Sequence, residues 1–248
     1  SIEIPAYNGH NLCDHGDVVI VNLNHRLNCL GFLDLSSFGE NYKYSGCAGM
    51  ADIVLALQWV KENIEVFGGD PDNVTVAGQS GGGGKAAILM QMPPADGLYH
   101  KVISQSGALR DRSGTSITDE KRHWQSLGEK TAEILGLTKE NIETIDGIPY
   151  EELAKAAVQA GKELGLPGGM MLFEPSPTEG FYEGLASIVG FREETKHIPV
   201  MAGTVLGEFA FMHYLGDKTR YTEVDKYNIL EQNYGKNTMS IIKQFRKL

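Results

Sequence analysis

The run Val74-Thr75-Val76-Ala77, followed at once by Gly78-Gln79-Ser80-Gly81-Gly82, constrains this chain more than any other feature. This short, largely β-branched apolar run predicts a strand, and Ser80 to Met92 predict a helix that Pro93-Pro94 ends. A strand that feeds directly into a helix is the unit from which parallel sheets are built. The alternation recurs along the chain. Val18-Val19-Ile20-Val21, within Asp17 to Leu23, reads as a strand buried on both faces. Residues 51–67 read as a helix with Ile53, Leu57, Val60 and Ile64 on one face, stopped by Gly68-Gly69-Asp70-Pro71. Further strands are expected at Lys101–Ser104 and Ile198–Gly203. The expected fold class is α/β, a mostly parallel central sheet flanked by helices.

Between residues 112 and 165 the text changes to charged, amphipathic helix, at Asp119–Leu135 and Tyr150–Glu163. This stretch reads as a helical insertion within a single α/β domain spanning 1–248. Strand-forming sequence begins as early as Asp17, and Tyr221 to Leu248 read as polar helix with no closing strand. The domain is therefore expected to be incomplete, the middle of a larger fold.

Composition excludes several classes of function. The chain has 248 residues, 42% of them apolar, and 22 Lys+Arg against 32 Asp+Glu give a net charge of −10. Clustered cations are what phosphate backbones and anionic membranes require, so neither nucleic acid nor a lipid surface is an expected partner. No apolar run approaches the length of a membrane span. Cys13, Cys29 and Cys47 are too few for a disulfide framework and too scattered for a zinc site. They favour reduced thiols and a reducing, cytoplasmic compartment. Ser1-Ile2-Glu3-Ile4-Pro5 has neither a basic nor an apolar leader region, as would also hold for a mature secreted chain.

The glycine-flanked serine is where chemistry is expected. Gly78-Gln79-Ser80-Gly81-Gly82 fits Gly-x-Ser-x-Gly between a strand and a helix. In that setting the serine sits in a sharp, strained turn, and small neighbours let the backbone pass so that Oγ projects above the sheet. The helix that starts there aims free N–H groups and its positive dipole end at developing negative charge. The N–H of Gly81 would be one oxyanion donor. A glycine-rich turn carrying an ordinary surface serine is the bland alternative. Gly81-x-Gly83-x-x-Ala86 also satisfies a dinucleotide fingerprint, but Gln105 and Ser106 stand where its acidic residue belongs. A P-loop fails because Gln79 and Ala86 occupy two of its required positions.

Longer blocks carry a family resemblance. Gly16-Asp17-Val18-Val19, Asn24 to Phe32 (Asn-His-Arg-Leu-Asn-Cys-Leu-Gly-Phe), Ala56 to Ile64, Phe67 to Pro71, Val74 to Ser80 and Ile103 to Gly107 stand in one order and spacing. Together they resemble the type-B carboxylesterase (cholinesterase-like) family of the α/β-hydrolase fold. A looser match continues through Phe173-Glu174-Pro175 and Ile198 to Phe209.

The resemblance implies ester hydrolysis through an acyl-enzyme, with no metal or organic cofactor and a small-molecule ester as substrate. It puts Ser80 on the nucleophile position and Gly81, where the family usually has Ala, on the oxyanion position. Gly203-Thr204-Val205-Leu206-Gly207-Glu208 matches the family's Gly-x-Asn-x-x-Glu, with Val205 for Asn, and puts Glu208 on the triad-acid position. The triad order is Ser, acid, His, and only His213 follows Glu208, five residues on and far too soon for the family's late histidine. Gln79 stands where the family usually has Glu, which removes a charge beside the nucleophile. The catalytic His and the upstream glycine-rich oxyanion loop are expected outside this chain, in a complementary part of the same protein. Alone, the 248 residues are expected to be inactive. The family also contains non-catalytic adhesion-type members, which typically lack the nucleophile serine. A binding module is thus the second reading, and dinucleotide binding a third.

Overall fold

Three parallel strands make the sheet: β1 (Thr75–Gln79), β2 (Lys101–Gln105) and β3 (Val200–Gly203), in the order β1-β2-β3. The register sets Gly78 opposite Ser104, Gln79 opposite Gln105, and Gln105 opposite Gly203. The structure is a computed structural model that describes residues 7–107, 114–166, 168–169, 172–205, 208 and 218–246. Its helices are α1 (His10–Gly16), α2 (Asn28–Phe32), α3 (Ala48–Asn63), α4 (Gly81–Leu89), α5 (Ile117–Ile134), α6 (Tyr150–Glu163), α7 (Ala186–Val189), α8 (Glu223–Tyr234) and α9 (Thr238–Phe245). Among the described residues no helix is long and apolar enough to cross a membrane.

The apolar periodicities end up where they point. Met50, Ile53, Val54 and Leu57 of α3 are buried with Ala86, Ile88 and Leu89 of α4, Val102 of β2, Tyr99 and Tyr182 in one core. Burying a Met, Ile, Val or Leu side chain of this set stabilises the fold by about 1.5–3 kcal/mol. A second core joins Leu127 and Ala132 of α5 and Leu153, Ala157 and Ala160 of α6 to Cys29, Leu33 and Leu35. The helical stretch after residue 112 thus buries its apolar stripe against the segment that leaves α2. Ser116 starts α5 by accepting the Asp119 N–H at 3.1 Å.

One expected strand is absent. Residues 17–27 carry no regular structure, and Val18, Val19 and Val21 are 46, 40 and 41% exposed. A strand exists through ladder hydrogen bonds to a neighbour, and among the described residues nothing pairs with this run. β-Branched composition supplies the propensity but not the partner.

The chain divides into two compact units, Ser1–Thr204 and Val205–Leu248. The sheet, α1 to α7 and both cores belong to the first. The second holds α8 and α9. There Thr222 and Asp225 form a reciprocal capping box, each side chain accepting the other residue's N–H.

Candidate active site

β1 ends at Gln79, α4 begins at Gly81, and the whole reversal falls on Ser80, with φ 55° and ψ −122°. For a residue with a Cβ this backbone costs about 1–3 kcal/mol and persists only where its surroundings enforce it. They do so on both sides of the residue. The Ser80 amide donates to the Gln105 carbonyl at 2.8 Å, and the Ser80 carbonyl accepts from the Gly84 amide at 2.9 Å. The turn is thus tied to the end of β2 and to the first turn of α4.

The crossing is too close for side chains. A Cβ on Gly78 would stand 2.3 Å from the backbone C and O of Gly82. One on Gly83 would stand 3.0 Å from the Gly107 Cα and from the Gly78 carbonyl oxygen. Ser104 Oγ donates to the Gly83 carbonyl at 3.1 Å and closes the packing beneath. Gly82 behaves differently, because a Cβ there would meet nothing within 4 Å. The expectation of small neighbours therefore holds at Gly78 and not at Gly82. Gly107 and Ser104 were not legible as parts of this turn, since they act from the end of the next strand and the residues just after it.

Ser80 and Gly81 are both exposed. As the first residue of α4, Gly81 has no carbonyl one turn back to receive its N–H, so that donor is available to a ligand. The side chain of Gln79 accepts a bond from the Tyr7 hydroxyl at 3.5 Å.

Lys85 stands one helical turn after Gly81. Its Nζ is 3.7 Å from the point a Gly81 Cβ would occupy and 5.6 Å from the centre of the Phe32 ring. Burial pushes the Lys85 pKa below the ordinary lysine value, and Glu174 opposes that shift. His25 lies in the same neighbourhood, its Nδ1 2.8 Å from the Arg26 carbonyl oxygen and its ring edge-on to Phe32 at 6.3 Å. Burial pushes the His25 pKa down, against the bond to that carbonyl. Arg26 is fixed in turn by Asp52, which accepts its Nε at 2.9 Å and its terminal nitrogen at 2.7 Å.

Glu208 belongs to the second unit. Its Oε1 accepts the Val205 N–H at 3.0 Å, and its own N–H donates to the Val205 carbonyl at 3.3 Å, so it closes a tight turn on itself. His213 lies outside the described residues. Among the described residues no group of three or more His, Cys, Asp and Glu is arranged to hold a metal ion.

A strained serine between a parallel strand and a glycine-opened helix is a nucleophile elbow in shape. The profile of the carboxylesterase family matches residues 2–246. The chain belongs to the carboxylesterase family. Para-nitrobenzyl esterase of Bacillus subtilis (strain 168) is 36% identical over 244 residues, covering 94% of this chain and 45% of that protein. Carboxylesterase 3 of Homo sapiens is 45% identical over 104 residues, covering 42% of this chain and 18% of that protein.

Among solved structures, an esterase from Clostridium hathewayi superposes with a TM-score of 0.73 at 43% identity, covering 94% of this chain and 45% of that one. A PNB esterase superposes at 0.74 with 34% identity, covering 94% of this chain and 48% of that one. The α/β-hydrolase fold expected from the sequence is therefore the fold of this member of the carboxylesterase family. The chain spans about half the length of the relatives it matches from end to end.

Proposed function

We propose that this carboxylesterase-family protein hydrolyses carboxylic esters through an acyl-enzyme on Ser80. One observation carries the reading: Ser80 is held at φ 55° between β1 and α4, exposed, with Gly81 next in line to donate its N–H. Strain of this kind is destabilising, and its retention points to a function. An ordinary surface serine needs no such backbone, which favours a catalyst over a binding module.

In the proposed reaction a histidine base takes the Oγ proton as Ser80 attacks the ester carbonyl. The Gly81 N–H, with donors from a second glycine-rich loop, receives the tetrahedral oxyanion. The alcohol leaves with the proton held by the histidine, and water repeats the sequence on the acyl-enzyme. Glu208 is proposed to orient the histidine and to stabilise its imidazolium. We assign the base to none of the seven histidines of this sequence and place it, with the second oxyanion loop, in polypeptide beyond residues 1–248. No step draws on a metal or an organic cofactor. The proposed substrates are small-molecule esters. Names among the relatives run from para-nitrobenzyl esterase to an esterase that hydrolyses aliphatic aromatic polyesters, which sets the panel of acyl and alcohol groups to try.

Hydrolysis of p-nitrophenyl butyrate by the full-length polypeptide tests the reading. Ser80→Ala should lower turnover by about 10⁶-fold, as removal of a triad serine does elsewhere. A Ser80→Ala protein that keeps its rate would move the chemistry to another residue.

A further inference from the structure

The first and fifth residues of α4 meet above the turn. Side chains on a helix lean toward its N-terminus, so Lys85 reaches back one turn, and its Nζ arrives 3.7 Å from where a Gly81 Cβ would stand. This is a costly place for a cation. The N-terminal end of α4 is the positive end of its dipole and repels an ammonium. Lys85 is half-buried, with the Phe32 ring at 5.6 Å, and it lies close enough to His25 to disfavour that ring's charged form. Glu174 is the carboxylate that opposes these costs. A neutral side chain of similar length would avoid all of them. With Gln79 uncharged, Lys85 is the ionised group nearest Gly81 that this turn itself provides.

We propose that Lys85 is a positioning residue of the oxyanion site. Its ammonium, held beside Gly81, lowers the cost of the negative charge that the Gly81 N–H receives when the tetrahedral intermediate forms. This rests on the reading of Ser80 as the esterase nucleophile. A fixed charge in a partly dry site is less screened than in bulk water and needs no rearrangement during the reaction.

The test is the rate of fluorophosphonate inactivation of the full-length protein, with kinact and KI read separately. Lys85→Met keeps the apolar stem and removes the charge, and it should lower kinact about tenfold while KI stays within about twofold. Lys85→Arg should recover most of the loss. Glu174→Gln removes the carboxylate that favours the ammonium, and relative to the parent it should lower kinact only as the pH rises and Lys85 loses its proton. If Lys85 and Glu174 form a merely structural pair, Glu174→Gln slows labelling at every pH as Lys85→Met does, and the proposal is overturned. Lys85→Met labelling at the parent rate overturns it as well. Should Lys85→Met fail to fold, the pH dependence of the Glu174→Gln effect still decides. A parent protein that takes up no probe on Ser80 removes the esterase reading underneath instead.

Discussion

The amide of Ser80 donates to the carbonyl of Gln105 at 2.8 Å, and that bond ties the strained turn after β1 to the end of β2. A backbone so held carries a cost that a residue without a Cβ would not bear. Ser80→Gly should therefore raise folding stability by about 1 kcal/mol while abolishing ester hydrolysis. Differential scanning calorimetry beside an esterase assay checks it. A lower melting temperature in the glycine variant would mean that the turn is not strained.

Two glycines of one motif should respond in opposite senses. Gly78→Ala drives a Cβ to 2.3 Å from the Gly82 backbone, which only movement of β1 or α4 can relieve. A loss of about 3 kcal/mol or more is expected. Gly82→Ala meets nothing within 4 Å, lies in a helix, and should gain about 0.5–1 kcal/mol. Urea unfolding of the two variants decides between them, and similar losses at both positions would contradict the geometry.

Arg26 and Asp52 give stability a dependence on acid pH. The Arg26 side chain beside Asp52 holds its carboxyl below the ordinary value of 3.8, so folding favours the ionised form. The contribution is fully present above that ordinary value and is lost as the pH falls through the lower, folded value. Arg26 is more than half exposed, so after solvent screening the pair contributes about 1 kcal/mol. The stability gap between the parent and Asp52→Asn should be constant above about pH 5 and shrink below it. A gap that widens with acid would reverse the sign and refute the pairing.

The three thiols should separate by reactivity. Cys47 is fully buried, donates to the Ser176 carbonyl at 2.9 Å, and has its pKa pushed up to about 12 by burial. Cys29 is buried and shifted in the same direction, whereas Cys13 is partly exposed. Iodoacetamide at pH 8 should modify Cys13 first and reach Cys47 only after unfolding. Peptide mapping of a time course reads this directly, and early modification of Cys47 would show that its surroundings open.

What was legible in the sequence was what depends on near neighbours. The path from Val74 through Ser80 into α4 was readable because strand propensity, a glycine turn and a proline stop all lie within about 20 residues of one another. Tyr150–Glu163 was found to the residue, since its apolar stripe and the flanking proline mark both face and start. Val18 to Leu23 misled because a strand needs a partner that composition does not encode. Ser104 of β2 and Gly107 just after it pack against the turn from more than 20 residues after Ser80, and no local pattern announces such a contact. The approach of Lys85 to Gly81 follows the helical spacing of four and could have been read from it. Only the register of α4, which the structure fixes by starting the helix at Gly81, makes that spacing meaningful.

The central claim is that Ser80 is a nucleophile, and covalent labelling tests it most directly. The full-length protein is treated with a fluorophosphonate, its intact mass is compared with the untreated mass, and a tryptic digest locates the adduct. One adduct is predicted, on the peptide Glu62–Lys85 at Ser80, and it should be absent from Ser80→Ala. A folded protein that takes up no probe, or takes it up elsewhere, would contradict the account.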